Sequence, residues 1–295
     1  MSTEIPQFVI DRRPFEGEVY DVMGGSARWE IKVQNHGLVA LLDVMPRFAP
    51  VGKTADFAIV QAARVSYGQG TKQVSEDRGL IRYLARHRHT TPFEMVEFKF
   101  HHVMPIFVAR QWIRHRTANV NEYSARYSIV PDRFYRPTVE NIRRQSKSNR
   151  QGGDEPIDEA TAAEFLAYLD DVEKHYAAYE RLMDKGVARE LARIGLPVSV
   201  YTEWYWKCDL HNIFHFLSLR MDPHAQQEIR DYANAMFALI QPIVPIAAEA
   251  FLDYNLHSAH LSRLEIEAVR TGQPLATENK REKAEWEEKK SQLGL

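Results

Sequence analysis

The sequence predicts a mixed α+β fold, a single domain with a central, mainly antiparallel sheet flanked by several long helices. Three observations predict it. Val96, Phe98 and Phe100 alternate with Glu97, Lys99 and His101, the period of a strand with one buried face. Phe165, Leu169, Val172, Tyr176, Tyr179 and Leu182 instead recur at helical spacing. Along the whole chain helical patterns dominate, with short strand-like runs scattered among them.

Taken in order, residues 1–35 read as a polar N-terminal extension with a possible strand. The domain proper is expected over 36–264, followed by a charged C-terminal tail, 265–295. Val39 to Val44 is a short apolar run ending at Pro46, a plausible strand. Thr54 to Val65 carries Phe57, Ile59, Val60 and Ala63 at helical spacing, with Thr54 as a candidate cap. Ser75 to Arg86 forms a second helix with Leu80, Ile81 and Leu84 as its buried stripe. The alternating strand covers Glu94 to Met104. Pro105 ends it and suits a helix's first turn, where a missing N–H costs nothing. Ile106, Phe107, Val108, Trp112 and Ile113 follow on that helix.

From about 141 to 158 the chain turns polar and glycine-containing, a surface loop or insertion. Thr161 to Lys185 reads as one long amphipathic helix stopped by Gly186. Ala188 to Ile194 is a short helix, and Val198 to Trp206 a strand rich in β-branched and aromatic residues. Asp209 caps a helix through Leu219, and Asp222-Pro223 starts another reaching about Gln241. Residues 279–291 offer little to bury and are expected to be a solvated helix or disordered.

Composition narrows the function. The chain of 295 residues is 44% hydrophobic and 26% charged, as soluble globular proteins are. A formal net charge of -2 gives no global attraction to nucleic acid or an anionic membrane, so an anion site must come from local clustering. Cys208 is the sole cysteine, which excludes an intramolecular disulfide and suits a reducing cytoplasm. No apolar run approaches the roughly 18 residues that span a bilayer. Glu4, Asp11 and Arg12 break up a stretch too short for a signal peptide.

Local clustering is found at R-Q-W-I-R-H-R-T-A-N-V-N-E-Y-S-A-R-Y, Arg110 to Tyr127. Arg110, Arg114, Arg116 and Arg126 stand there against one acid, Glu122. Arg110 and Arg114, four apart on the expected helix, share a face. Guanidinium groups bind phosphate bidentately and stack on flat rings. A solvated basic face is the plainer reading, weakened because the neighbours are amides and hydroxyls and not acids. A nucleic-acid-binding module using this segment is an alternative, though no recognised module pattern accompanies it.

The string R-H-R-x7-S, Arg114 to Ser124, resembles the signature of the flavin-dependent thymidylate synthases. The flanks match in the family's order. They are A-R-V-S at Ala63 to Ser66, H-x-T-P-F-E at His89 to Glu94 and P-I-F-V-A-R-Q-W at Pro105 to Trp112. A-R-I-x-L-P follows at Ala192 to Pro197, and L-R-M-D-x-H-A-Q-x-E-I at Leu219 to Ile229. The resemblance implies methylation of dUMP to dTMP with FAD as cofactor, methylenetetrahydrofolate as carbon donor and NADPH as reductant. It also implies a homotetramer with active sites at subunit interfaces. Another NADPH-dependent flavoprotein, lacking methyl transfer, is the third reading.

By position, the resemblance makes Arg220 the residue that stabilises charge on the activated uracil, and a dUMP ligand. Gln111, Trp112, Ile113, Arg114, Glu122, Tyr123, Ser124, Ala125, Arg126 and Arg193 match the rest of the dUMP site. Thr91, Arg114, His115, Arg116, Glu122, Asp209, Leu210, His211 and His215 match flavin contacts. Ser66, His89 and Tyr127 resemble positions near the flavin ring or folate. His211 and His215 depart from the Asn and Arg common in the family, which puts those contacts in doubt. A metal is disfavoured there, since no Glu follows the first His and no third ligand is evident.

Other residues get plainer readings. Ser124 lacks a positioned base and is not expected to be a nucleophile. Nothing beside Cys208 would lower its pKa, so it reads as a buried structural thiol. Trp204, Tyr205 and Trp206 read as core more than as a stacking platform. His224 either faces the nucleotide or lies in a helix's first turn. Neither G-x-G-x-x-G nor G-x-x-x-x-G-K-[ST] appears, so cofactor phosphates would be held by Arg and His side chains.

Overall fold

Alternation of apolar and polar side chains sets the strands, and glycine, proline and short polar residues set where they turn. The computed structural model describes residues 9, 11–14, 27–47, 53–65, 77–146 and 153–295. Strands β1 (Asp11–Pro14), β2 (Ala27–Val33) and β3 (Gly37–Met45) come first, then helices α1 (Asp56–Val65), α2 (Asp77–Arg86) and the single turn α3 (Thr91–Glu94). Strand β4 (Glu97–Pro105) leads into α4 (Ile106–Trp112) and β5 (Asn119–Glu122). A hairpin of β6 (Arg143–Gln145) and β7 (Gly153–Pro156) precedes α5 (Glu159–Glu173), α6 (His175–Asp184) and α7 (Arg189–Ala192). Strand β8 (Tyr201–Asp209) runs into α8 (Leu210–Arg220), followed by α9 (Gln227–Ile240) and α10 (Pro245–Phe251). The last helices are α11 (Arg263–Thr271) and α12 (Lys280–Leu293).

Among the described residues the main sheet has the order β1-β2-β3-β4-β8-β5 with every pair antiparallel. In the β4–β8 register Phe98 faces Cys208, Phe100 faces Trp206 and His102 faces Trp204. These side chains are buried, while Lys99, Lys207, His101 and Tyr205 occupy the other face. Helices α4, α8 and α9 pack on the buried face. Ile229, Tyr232, Ala233, Met236, Phe237 and Ile240 of α9 are fully buried. Each large apolar side chain so buried contributes roughly 1.5–3 kcal/mol.

Gly37 sets how closely α9 approaches β3. A Cβ there would collide with the Tyr232 hydroxyl and the Val33 carbonyl. The Tyr232 hydroxyl donates to the Val103 carbonyl at 2.9 Å, so the same close approach ties α9 to β4. On the other side of the core, the buried Asp56 carboxylate accepts the N–H groups of Ile246 and Ala247 at 2.9 and 3.0 Å. It thereby caps α10 from α1, satisfying donors that a helix start leaves without partners.

Several sequence expectations change. Residues 1–35 are more than a polar lead-in, because β1 and β2 extend the sheet beyond β3. The polar stretch after 141 contains the β6–β7 hairpin. The expected long helix is two, α5 and α6, with Lys174 between them. His175 Nδ1 lies 3.0 Å from the Val172 carbonyl, a side-chain contact that competes with the helical ladder. Its apolar stripe divides accordingly: Tyr176 and Tyr179 are buried, whereas Phe165 and Leu182 are exposed. Asp222-Pro223 starts a turn and not a helix. Asp222 Oδ1 accepts the His224 N–H at 2.7 Å, an Asx turn, and α9 waits until Gln227. Gly186 does terminate α6, with φ +85.

Two compact units are distinguished, Met1–Phe251 and Leu252–Leu295. The second has a core of its own. Trp286 of α12 is 3% exposed among Ala268 and Leu275, with Leu261 and Leu264 against them. Ser262 and Glu265 form a reciprocal capping box at the start of α11, and Gly272 ends it with φ 67. The charged tail is therefore helical but not wholly solvated.

Candidate active site

The basic segment begins where α4 ends. Trp112 is the last helical residue, Ile113 caps it, and Arg114 falls in the turn beyond, so Arg110 and Arg114 do not share a continuous helix face. Burial explains the stop. Trp112 is fully buried and stacks on Phe216 of α8 at 4.5 Å, which pins the helix end to the core. The following residues are thrown outward. Arg114 and Arg116 are exposed, and His115 turns back to α8, 4.9 Å from the Phe216 ring and 5.9 Å from that of His215.

Arg220, the last residue of α8, donates from Nε to His115 Nε2 at 3.1 Å. Burial, with Arg220 and then His215 nearby, lowers the His115 pKa to about 4, so the ring is neutral near pH 7. Burial also lowers the Arg220 pKa, which marks a guanidinium without a compensating anion. Among the described residues none of Arg110, Arg114, Arg116, Arg126, Arg193 and Arg220 forms an ion pair. Several other arginines do, Arg64 of the A-R-V-S block among them. Arg28 pairs with Glu30, Arg64 with Asp77, Arg78 with Glu249 and Arg136 with Glu173.

Strand β5 carries the segment along the edge of the sheet, with Glu122 opposite Trp204. The Thr202 hydroxyl donates to Glu122 Oε1 at 2.8 Å, and the Tyr123 N–H donates to the Glu203 carbonyl at 2.8 Å. The chain then folds into a turn in which the Tyr127 and Ser128 N–H groups both donate to the Ser124 carbonyl. Ala125 packs on the cluster of Val130, Phe134, Tyr176, Tyr179, Ala192 and Val200, which also carries the residue next to Arg193. Arg126 lies 5.1 Å from the Tyr127 ring, and Arg189 donates to the Tyr127 carbonyl at 2.5 Å.

A third group surrounds α3 and the start of α8, which pack together. Thr91 and His89 are exposed at α3, with the His89 ring 6.1 Å from Tyr83. Asp209 caps α8, accepting from the Asn212 N–H at 2.9 Å and from its Nδ2 at 2.8 Å. That carboxylate is thus already engaged. His211 is partly exposed and His215 exposed on the same helix. No cluster of His, Cys, Asp or Glu suited to a metal occurs among the described residues. Ser66 lies outside the described residues.

Trp112 and Leu210 were expected at the dUMP and flavin sites, but both side chains are fully buried. Only their backbones remain for a ligand, and the Leu210 N–H already donates to the Val96 carbonyl at 2.8 Å. Trp204 and Trp206 are core as expected, while Tyr205 lies on the opposite face, 48% exposed. His224 is exposed and its ring bonds Asp222 at 2.8 Å, in the turn before α9 and not in a helix's first turn. Cys208 is 4% exposed, its thiol donating to the Thr117 carbonyl at 3.2 Å. Burial, then Asp209 and Glu97, push its pKa up, away from thiolate.

Sequence reasoning assigned no role to Thr202 or Gln226, yet they hold the Glu122 and Gln111 side chains. Gln226 sits inside the L-R-M-D-x-H-A-Q-x-E-I block, so a signal was present. Thr202 had none, because its value lies in cross-strand neighbours. Within the chain no hydrogen bond or ring contact among the described residues joins the Ser124 turn to the His115–Arg220 pair.

A family model described as thymidylate synthase complementing protein matches residues 49–246. A flavin-dependent thymidylate synthase of Dictyostelium discoideum is 69% identical over 293 residues, covering 99% of this chain and 97% of that protein. One from Thermus thermophilus is 54% identical over 241 residues, covering 81% of this chain and 84% of that protein. The crystal structure of a UMP/dUMP methylase, PolB from Streptomyces cacaoi, bound with 5-Br dUMP, superposes with TM-score 0.65. It is 34% identical and covers 78% of this chain and 100% of its own.

Proposed function

The chain belongs to the flavin-dependent thymidylate synthase family, a family of methyltransferases, and from that premise we propose how it works: it methylates dUMP to dTMP with FAD bound, taking carbon from methylenetetrahydrofolate and electrons from NADPH. One observation carries the reading. Arg110, Arg114, Arg116, Arg126, Arg193 and Arg220 stand without acidic partners among the described residues, whereas Arg64 of the A-R-V-S block, Arg78 and Arg136 are paired. A half-buried guanidinium such as Arg220 loses hydration that an anionic or polar ligand would replace, and the exposed arginines keep their full charge for such a ligand. A nucleoside monophosphate and a dinucleotide supply such anions.

FAD fits the donor set. Arg114 and Arg116 are exposed, unpaired and adjacent to a neutral imidazole, which suits a pyrophosphate and a flat ring in the absence of a glycine-rich loop. We assign Thr91, Arg114, His115, Arg116, Glu122, Asp209, Leu210, His211 and His215 to its surroundings, with Leu210 acting through its backbone. When bound, the flavin supplies the hydride. Gln111, Ile113, Arg114, Tyr123, Ser124, Ala125, Arg126 and Arg193 hold dUMP, the arginines at its phosphate, with Trp112 limited to its backbone. We assign His89 and Tyr127, and by sequence position alone Ser66, to the flavin ring or folate.

Arg220 is the catalytic residue of this reading. Half-buried and without a carboxylate, it keeps full positive charge for a uracil oxygen that becomes negative as the ring is activated. Preorganised charge of this kind is usually the largest catalytic contribution. No enzyme thiol attacks the ring, because Cys208 is buried on the core face with its thiol held protonated. Several chains complete each site in a cytoplasmic homotetramer, a reading that the lack of a contact joining the Ser124 turn to the His115–Arg220 pair among the described residues favours.

Purified protein given dUMP, FAD, NADPH and methylenetetrahydrofolate should form dTMP. Flavin binding with NADPH oxidation but no dTMP would leave only the reading of another NADPH-dependent flavoprotein.

A further inference from the structure

An arginine presents five N–H donors in one rigid plane, so a single well-placed bond sets where the others point. Arg220 has its bond on Nε, the edge nearest its own chain, and the acceptor is His115 Nε2 at 3.1 Å. Among the described residues the guanidinium makes no other hydrogen bond, which leaves its terminal nitrogens for a ligand. The acceptor is itself held from behind. His115 meets Phe216 edge-on at 4.9 Å, and Phe216 stacks on the fully buried Trp112 at 4.5 Å. The groups facing the ring from α8 are His215, Phe216 and Arg220.

The acceptor's chemistry matters as much as its place. A carboxylate there would orient the plane equally well but cancel the positive charge. A protonated imidazole could not accept at all and would repel. A neutral imidazole protonated on Nδ1 orients Arg220 and leaves its charge unspent.

Resting on the reading that Arg220 stabilises charge on the uracil, we propose that His115 is a positioning residue: as a neutral acceptor it fixes the guanidinium plane so that the terminal nitrogens face the nucleotide. This role is separate from any contact of the same ring with flavin. Burial of the ring between α4 and α8 keeps it in the neutral form that the role needs.

A double-mutant cycle with a spectroscopic arm tests it. His115→Leu removes the acceptor, His115→Gln supplies an amide oxygen in its place, and Arg220→Lys keeps the charge but has no Nε–H. His115→Leu should lower kcat by roughly 100-fold at saturating FAD, as misplacement of a catalytic group does. His115→Gln should recover most of that loss. In the Arg220→Lys background the Leu substitution should cost less than about 2-fold, because coupled residues are not additive.

Equal losses from His115→Leu in both backgrounds, or a loss restored by added FAD, would overturn the positioning role. Full turnover in Arg220→Lys would instead overturn the reading of Arg220. In the protein without ligands, the 15N signal of His115, assigned by its disappearance in His115→Gln, should show the proton on Nδ1 at pH 7. A proton on Nε2 overturns the proposal whatever the kinetics give.

Discussion

Thr202 donates a 2.8 Å hydrogen bond to Glu122 Oε1, tying a nearly buried residue of β8 to an exposed carboxylate on the edge strand β5. Strand β5 is only four residues long, exposed throughout and paired on one side alone. Short edge strands hold their register weakly. Glu122 therefore owes its direction to Thr202 more than to its own strand.

Thr202→Val keeps the shape of the side chain and removes the donor. A lost bond of this kind is worth about 1 kcal/mol, so kcat/KM for dUMP should fall roughly 3- to 10-fold. The melting midpoint should move by no more than about 2–4 °C. Unchanged kcat/KM would mean that Glu122 finds its position without the threonine.

Arg220→Ala removes a charge that no acid compensates. Its loss should leave the circular dichroism spectrum intact while kcat drops by about 100- to 1000-fold, the usual cost of removing one stabilising donor. Full turnover in this variant would take the uracil-activating role away from Arg220. A collapsed fold would be equally unexpected, since the side chain pairs with no carboxylate among the described residues.

Cys208→Ala should leave dTMP formation intact. The thiol lies on the buried sheet face, opposite Phe98, and donates to the Thr117 carbonyl at 3.2 Å. Losing that small side chain costs about 1 kcal/mol of stability, within the ordinary range for a core substitution. Complete loss of turnover in a protein that still melts cooperatively would point to a thiol mechanism.

What the sequence made legible was what periodicity and local chemistry encode. Strand β4, helices α2 and α8 and the Asp209 cap lie close to their expected bounds, because each carries its own pattern and punctuation. Strand β5 was hidden, since N-V-N-E has no buried face to alternate against and forms only because β8 offers it an edge. The long helix was misread because an apolar stripe predicts burial but not which half finds a partner. In the site, residue types identified the arginines, yet their isolation from acids is a three-dimensional fact. The His115–Arg220 bond spans 105 positions, beyond any local pattern.

Acidification should destabilise the fold in a window set by buried His102 and half-buried His115. Burial lowers the His102 pKa well below that of a free histidine, and that of His115 falls to about 4. Below about pH 6.5 the unfolded chain binds protons that the folded chain refuses, so stability falls as pH falls. The contribution is complete above about 6.5 and, for His115, is lost progressively down to about 4. Buried Asp56 and partly buried Asp231, whose pKa values are raised by desolvation, act in the opposite sense. The difference between proteins is therefore the cleaner measure. Melting midpoints of wild type and His115→Gln, followed from pH 7 to 4, should converge on acidification, with the flatter slope in the variant. Parallel slopes would show that His115 titrates alike in the folded and unfolded chain, and that its neutral state is not imposed by the packing of α8.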